Sequence, residues 1–515
     1  MKSLTLLTTT LLLTTTLSAP TNHESELPIS SDNTPSQSED EYIILLTPEN
    51  KASWPTIFSS IGYNRTTRHL TAHNNFNVHT LGATFSTTHG VNIQTFGSNL
   101  RGFTMKMPRT HSVNVAGMEG IALVEKNHRR TKQVPRRSST HSAREKVHLP
   151  PNYSPPSQNI YKRHLNLLLS RQLQTAPSTN STNSTTELPP PNTNKPTTGG
   201  FTTELIQQST APWNLQRISS QSPIPPDGRN ITALTYKHRF DRLSGTDVDI
   251  YIVDSGINVN HTDFNGRANI LFSAFNDNGD DKDGHGTHVA GTAASLHYGV
   301  AKNSNIWGVK VLDDNGGGSD AGITAGIDAV LTAHNARKNQ TNFAGSVINM
   351  SLGSPETSQT IFTALQRAAA AGIHIAVAPG NDNKDSCKDF PAGFVEKIPS
   401  IISVGATDID DIRADFSDFG KCVDIHAPGV MIVSTTNDGK IGDKDGTSMA
   451  TPAVAGVLAD QLAQHPEFKM DPAGMKKFLI EKAQKSVIKL KVGDTATNGG
   501  TKRVLLNTGV EGTPQ

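Results

Sequence analysis

The sequence predicts an α/β protein, a parallel sheet covered by helices on both faces, preceded by a small α+β unit and a polar linker. Three observations carry this. Apolar runs of strand length recur: Asp249-Ile250-Tyr251-Ile252-Val253-Asp254, Ile306-Trp307-Gly308-Val309-Lys310-Val311-Leu312, Gly345-Ser346-Val347-Ile348-Asn349-Met350 and Ile373-His374-Ile375-Ala376-Val377. Near-continuous runs of this kind read as strands buried on both faces. Helical patterns stand between them, near Gly322 to Arg337 and Thr360 to Ala371, and that alternation marks parallel crossover units. Gly-rich turns follow the strands, at the edge where open α/β sheets place their sites.

Taken in order, the chain opens with Met1-Lys2-Ser3 and a Leu- and Thr-rich stretch to Leu17-Ser18-Ala19. A basic start, apolar middle and small-residue end read as a secretory leader over residues 1–19. No other segment reaches the unbroken apolar length of a membrane span, so a soluble protein is expected. A small unit over 41–126 is bounded by the strand-like Tyr42-Ile43-Ile44-Leu45-Leu46 and Ile121-Ala122-Leu123-Val124-Glu125. Between them lie a helical stretch around Trp54 to Ile61 and the strand-like Gly102-Phe103-Thr104-Met105-Lys106-Met107. Residues 127–205 turn polar, with Arg129-Arg130, Arg136-Arg137 and Lys162-Arg163 among Ser, Thr, Asn and Pro. Such a composition supports no packed core and reads as a disordered, exposed linker. Asn180 and Asn183 each begin an N-glycosylation sequon. The basic pairs read equally as processing sites or as a solvated charge run. The main unit is expected over 206–515.

With 47 basic and 46 acidic residues the net charge is +1, too weak a field to argue for nucleic acid or an acidic membrane surface as partner. The two cysteines, Cys387 and Cys422, make either one bridge in an oxidising compartment or two buried thiols.

Three stretches carry chemistry. Gly446-Thr447-Ser448-Met449-Ala450-Thr451-Pro452 opens an apolar helical run. A hydroxyl there faces unpaired backbone N–H groups and the positive end of the helix dipole, which favour a nucleophile or a forming anion; alone, it reads more readily as a plain N-cap. Asp283-Gly284-His285-Gly286-Thr287-His288 starts a second helix of small residues with a histidine between glycines. Asp254 ends a buried strand before Ser255-Gly256.

These blocks resemble the subtilisin family of serine proteases, in its proteinase K branch and nearest to the cerevisin-like fungal enzymes; the order Asp, His, Ser is that of subtilisin. The resemblance implies a subtilisin-like sheet, Ser448 as nucleophile, His285 as general base and Asp254 as the group that orients the imidazole. A serine hydroxyl needs such a base to become nucleophilic. His288 is expected to be structural. By the same resemblance Asn381, in Ala378-Pro379-Gly380-Asn381, supplies an oxyanion-hole donor, and Pro379 stands where alanine is usual. Gly316, Gly317 and Gly318 match one edge of the substrate groove and Ser351, Leu352 and Gly353 the other, so that an extended peptide pairs between them as an added strand. The 41–126 unit is similar to the inhibitor-type propeptides of subtilases, and implies an intramolecular inhibitor. Ala211-Pro212-Trp213-Asn214 looks like the start of the mature enzyme. The positions of Cys387 and Cys422 resemble those in cerevisin-like enzymes.

The chemistry implied needs no cofactor. Asp424 stands where calcium-binding relatives have a carboxylate, which leaves a structural calcium open, although one carboxylate is not a site for an ion that takes six to eight oxygens. The expectation is a monomeric endopeptidase acting on proteins and peptides, secreted or vacuolar, made as a zymogen. No cluster of carboxylates is evident at the pocket rim, which favours broad apolar or aromatic preference over a dibasic convertase. An inactive binding protein on the same scaffold is a further alternative, which self-cleavage near Glu125 would exclude.

Overall fold

The computed structural model describes residues 40–61, 79–80, 84–86, 92–97, 99–132, 204–275, 277–491 and 500–509. The expected leader, both sequons and most of the expected linker lie outside the described residues.

The small unit is an antiparallel sheet of β1 (Asp40–Leu46), β2 (Thr84–Ser86), β3 (Asn92–Phe96), β4 (Gly102–Met107) and β5 (Ile121–Lys126), in the order β2-β3-β4-β1-β5. Helices α1 (Trp54–Ser60) and α2 (Arg109–Ala116) complete it. Side chains alternate across a strand, and β1 uses both faces. Tyr42, Ile44 and Leu46 join Ile57, Phe58, Phe103 and Met105 in the unit's own core. Ile43 and Leu45 instead join Phe96 and Leu100 in a core shared with the helices of the main unit.

Beyond β5 the chain does not become linker at once. Residues 127–132 are ordered, with Arg129–Lys132 forming β6, so the expected linker boundary is corrected to no earlier than 133. The reason lies outside the segment: Arg-Arg-Thr-Lys has no apolar pattern of its own, and its strand hydrogen bonds are supplied by the main unit.

The main unit begins with β7 (Leu205–Ala211), α3 (Trp213–Ile218) and β8 (Tyr236–Asp241), in which β7 and β8 pair antiparallel. Then follow β9 (Val248–Asp254), β10 (Ala268–Ser273), α4 (His285–Ala294), β11 (Asn305–Lys310), β12 (Gly317–Ser319) and α5 (Asp320–Arg337). The rest includes β13 (Gly345–Met350), β14 (Leu352–Gly353), α6 (Gln359–Ala370), β15 (His374–Val377), β16 (Ile401–Thr407), β17 (Ile425–Pro428), α7 (Thr447–Gln464) and α8 (Pro472–Lys482). Seven parallel strands, in the order β10-β11-β9-β13-β15-β16-β17, form the body of the large sheet.

Every residue of β9, β13 and β16 is buried, as the unbroken apolar runs predict. One face of the sheet packs on α4 and α7 and the other on α5 and α6. The chain builds outward from β9 to β10, returns through β11, and then builds the opposite way through β13. The carboxyl ends of β9 and β13 therefore mark the reversal where such sheets bind ligands.

Candidate active site

Asp254 ends β9 and His285 begins α4. The approach of helix to strand depends on Gly286, where a Cβ would lie 2.1 Å from the Gly256 carbonyl oxygen and 3.2 Å from the Asp254 Cβ. With no side chain there, His285 Nδ1 reaches Asp254 Oδ1 at 2.7 Å. Both side chains are buried. A carboxylate on Nδ1 fixes the tautomer that carries its proton there and leaves Nε2 basic. His285 Nε2 is buried without a hydrogen-bond partner.

Ser448 is the second residue of α7, which packs against α4. Its Oγ donates to the carbonyl of Ser351 at 3.2 Å, just past the end of β13. Its own carbonyl is released by Pro452, inside the helix, which has no N–H to offer four residues on. The hydroxyl of Ser351 donates to that carbonyl instead, at 3.1 Å. A proline that would ordinarily leave a buried acceptor bare thus ties the start of α7 to the end of β13.

Asn381 lies just beyond β15. Its Oδ1 accepts from Thr447 N at 2.8 Å and from Thr447 Oγ1 at 3.0 Å. The amide is thereby oriented, and its Nδ2 donor is buried with no partner. Gly380, with φ +125°, makes the turn, and a Cβ there would fall 2.3 Å from Asp418 Oδ2. Asp418 braces the loop from below, its Oδ1 accepting from Asp382 N at 2.9 Å and Lys384 N at 3.0 Å. Burial, with the neighbouring Asp389 charge adding to it, pushes the Asp418 carboxyl up to about 7.

His288 is fully buried, with Nε2 3.1 Å from the Gly442 carbonyl. Burial pushes its pKa down to about 3, as suits a structural, neutral imidazole.

The two glycine-containing edges face one another across a groove, and the chain's own β6 fills it. Thr131 pairs with Gly317 and with Gly353, Arg130 with Gly318, and Lys132 with Leu352. Lys132 N donates to Gly316 O at 3.0 Å. The side chains of Arg130 and Lys132 each meet a carboxylate of the main unit. Arg130 is buried and grips Asp320, the first residue of α5, through Nε to Oδ1 and through Nη2 to Oδ2 at 3.1 Å. Lys132 Nζ pairs with Asp283 Oδ2. Arg129, more exposed, lies 3.8 Å from Asp313. The expectation of a rim without carboxylates is therefore corrected. Asp313 and Asp320 flank one glycine turn while Asp283 comes from a distant stretch, and the three read as a set only beside the peptide that lies between them. The available signal was local: Asp313 before and Asp320 after the turn Gly316-Gly317-Gly318-Ser319.

Cys387 and Cys422 are joined by a disulfide with Cα atoms 5.2 Å apart. Asp424 does not fit calcium. Its Oδ2 lies 2.7 Å from Lys476 Nζ and its Oδ1 2.8 Å from Lys502 Nζ, so two ammonium groups hold the oxygens that a cation would need. The one other grouping of ligand-type side chains among the described residues, Cys387, Glu396 and Cys422, contains the bonded sulfurs.

Residues 245–509 match the family model described as the subtilase family. The chain is 43% identical over 310 residues to proteinase T of Parengyodontium album, covering 59% of this chain and 94% of that protein. It is 40% identical over 303 residues to cerevisin of Saccharomyces cerevisiae, covering 56% of this chain and 46% of cerevisin. A solved cold adapted subtilisin-like serine proteinase aligns with a TM-score of 0.49 at 38% identity, over 58% of this chain and 99% of that one. With the matched region spanning every strand from β9 to β17 and the helices between them, the chain belongs to the subtilase family of serine proteases.

Proposed function

We propose that this chain is the zymogen of a secretory-pathway serine endopeptidase, in which Ser448, His285, Asp254 and Asn381 perform acyl transfer. The observation that carries the reading is the two-sided imidazole of His285, held by Asp254 at one nitrogen with the other left basic, at the sheet edge that also bears Ser448. In this mechanism Ser448 Oγ attacks the scissile carbonyl as its proton passes to His285 Nε2. Asp254 stabilises the imidazolium, and Nδ2 of Asn381 donates to the oxyanion. The proton then goes to the leaving amine, and water repeats the sequence to release the acyl group from Ser448. No step calls for a cofactor. The first pocket, beside Ser351, takes the residue that contributes the scissile carbonyl, with broad preference.

Residues 40–132 act in this reading as the chain's own inhibitor, and β6 in the groove supports it. With β6 in the groove, we place the cut beyond it rather than near Glu125. Its carboxylate accepts from Ser358 Oγ at 2.7 Å, Gln359 N at 2.8 Å and Thr360 N at 2.9 Å, and so caps α6. Self-cleavage is expected after residue 132 and before Leu205, where β7 begins. The destination in this reading is secretion, with the vacuole as the alternative, and what supports it is the leader-like pattern of residues 1–19.

The test is labelling of the matured protein with a serine-directed phosphonate. Ser448 should carry the label and casein hydrolysis should stop, while Ser448→Ala should leave the full chain uncut. A matured protein that takes up no label overturns the assignment.

A further inference from the structure

We infer that the groove selects peptides carrying two basic residues at alternate positions, with Asp320 and Asp283 as the residues that read them. The inference rests on the endopeptidase reading above and adds its substrate class.

The argument starts from register. β6 runs antiparallel to β14 with Lys132 opposite Leu352, so the next residue of any peptide bound this way falls opposite Ser351. Ser351 O is the acceptor of the Ser448 hydroxyl. The peptide carbonyl delivered to Ser448 therefore belongs to the residue after the Lys132 position. Counting that residue as the first, Lys132 occupies the second position and Arg130 the fourth.

Side chains two apart on a strand share a face, and both of these face the enzyme. The fourth-position pocket has apolar walls that include Leu352, Ile361 and Phe394, a lining suited to an aliphatic or aromatic side chain. Its charge comes from Asp320. That carboxylate is fully buried, begins α5 where the helix dipole favours an anion, and meets the Arg130 guanidinium in a two-point grip. The Glu356 carbonyl accepts from Arg130 Nη1 as well. A planar fork fits this arrangement and a lysine ammonium does not. At the second position the requirement is looser. Asp283 uses Oδ1 to accept from His285 N at 3.1 Å, which leaves Oδ2 for the ammonium of Lys132. Lys132 is partly exposed there, so arginine is also accommodated.

An alternative role for the carboxylates is to retain the chain's own segment and nothing else. The geometry argues against that, because both lie in the walls of the groove that a substrate must enter once β6 has left. Asp320 also meets His128 Nδ1 at 3.1 Å, but the two-point grip belongs to Arg130 alone, and a substrate with alanine at the fourth position forfeits it.

The experiment uses the full chain after maturation and four fluorogenic peptides of the pattern Arg-Thr-Lys-Leu, Ala-Thr-Lys-Leu, Arg-Thr-Ala-Leu and Ala-Thr-Ala-Leu, with casein as a general substrate. Arginine over alanine at the fourth position should raise kcat/KM by about 10- to 100-fold, the range for a hydrogen-bonded charge pair. Lysine at the second position should contribute less. In Asp320→Asn the arginine-to-alanine ratio should fall at least tenfold, and in Asp283→Asn the lysine-to-alanine ratio should fall. If a variant fails to mature, the ratios of the unmodified enzyme still decide the matter. Casein hydrolysed with all four peptides cut alike overturns the selectivity and leaves the protease reading in place. Neither casein nor any peptide cut, with Ser448 unlabelled, overturns both.

Discussion

Asn381 has a divided amide: Oδ1 is spent on Thr447 while Nδ2 is left to donate. Asn381→Asp keeps the acceptor at the helix start but replaces the donor with a second oxygen. It should lower kcat by about 10²–10³ with little change in KM, a magnitude borrowed from the corresponding loss in subtilisin. Steady-state kinetics with an unchanged melting temperature would check it. As candidates, Asp254, His285, Ser448 and Asn381 are legible because each sits in a local signal: a strand end, a glycine-flanked helix start, or a turn. Asp320 and Asp283 are not, because their meaning depends on Arg130 and Lys132, which are distant in sequence and approach only through strand pairing. Asp418, which braces the loop after Asn381, is hidden for the same reason.

Elements show the same contrast. The buried strands β9, β13 and β15 were visible as apolar runs, since burial on both faces leaves its mark in composition. β6 looks like linker in the sequence because the interactions that order it belong to β12 and β14. Glu125, on β5, saturates donors at the start of α6, and Glu125→Ala in the uncut Ser448→Ala chain should cost about 1 kcal/mol of stability, the scale of a lost helix cap. Differential scanning calorimetry should show the midpoint lowered by about 2 °C. On α8, Lys476 Nζ holds Asp424 Oδ2 at 2.7 Å, so a lysine occupies the carboxylate at the place where the sequence leaves a calcium open. Exhaustive chelation should leave the melting temperature unchanged, and a clear drop on adding EDTA would contradict the fit.

At the scale of the whole molecule, buried histidines set the response to acid. Burial lowers the pKa of His238 and pushes His288 down to about 3 and His334, His374 and His426 to about 4. Each folded-state value lies below the unfolded value of about 6.5, so unfolding takes up protons. Their contribution is present above pH 6.5 and is lost as pH falls from there toward 4. Burial raises Asp418 to about 7 and Asp460 to about 6, which acts the opposite way, with stability lost as pH rises from about 4 toward 7. The five histidines outnumber these carboxylates even with Asp249 and Asp408, which burial also raises, so melting temperatures of the Ser448→Ala chain should be lower at pH 5 than at pH 7. A profile flat across that interval would count against these assignments.

β1 places Ile43 and Leu45 in a core completed by side chains of α5 and α6. During translation those helices emerge only after the small unit has long left the ribosome, a delay on the order of tens of seconds at about 5–20 residues per second. Through that interval Ile43 and Leu45 lack the side chains that cover them in the complete chain, and an oily stripe stays open to water.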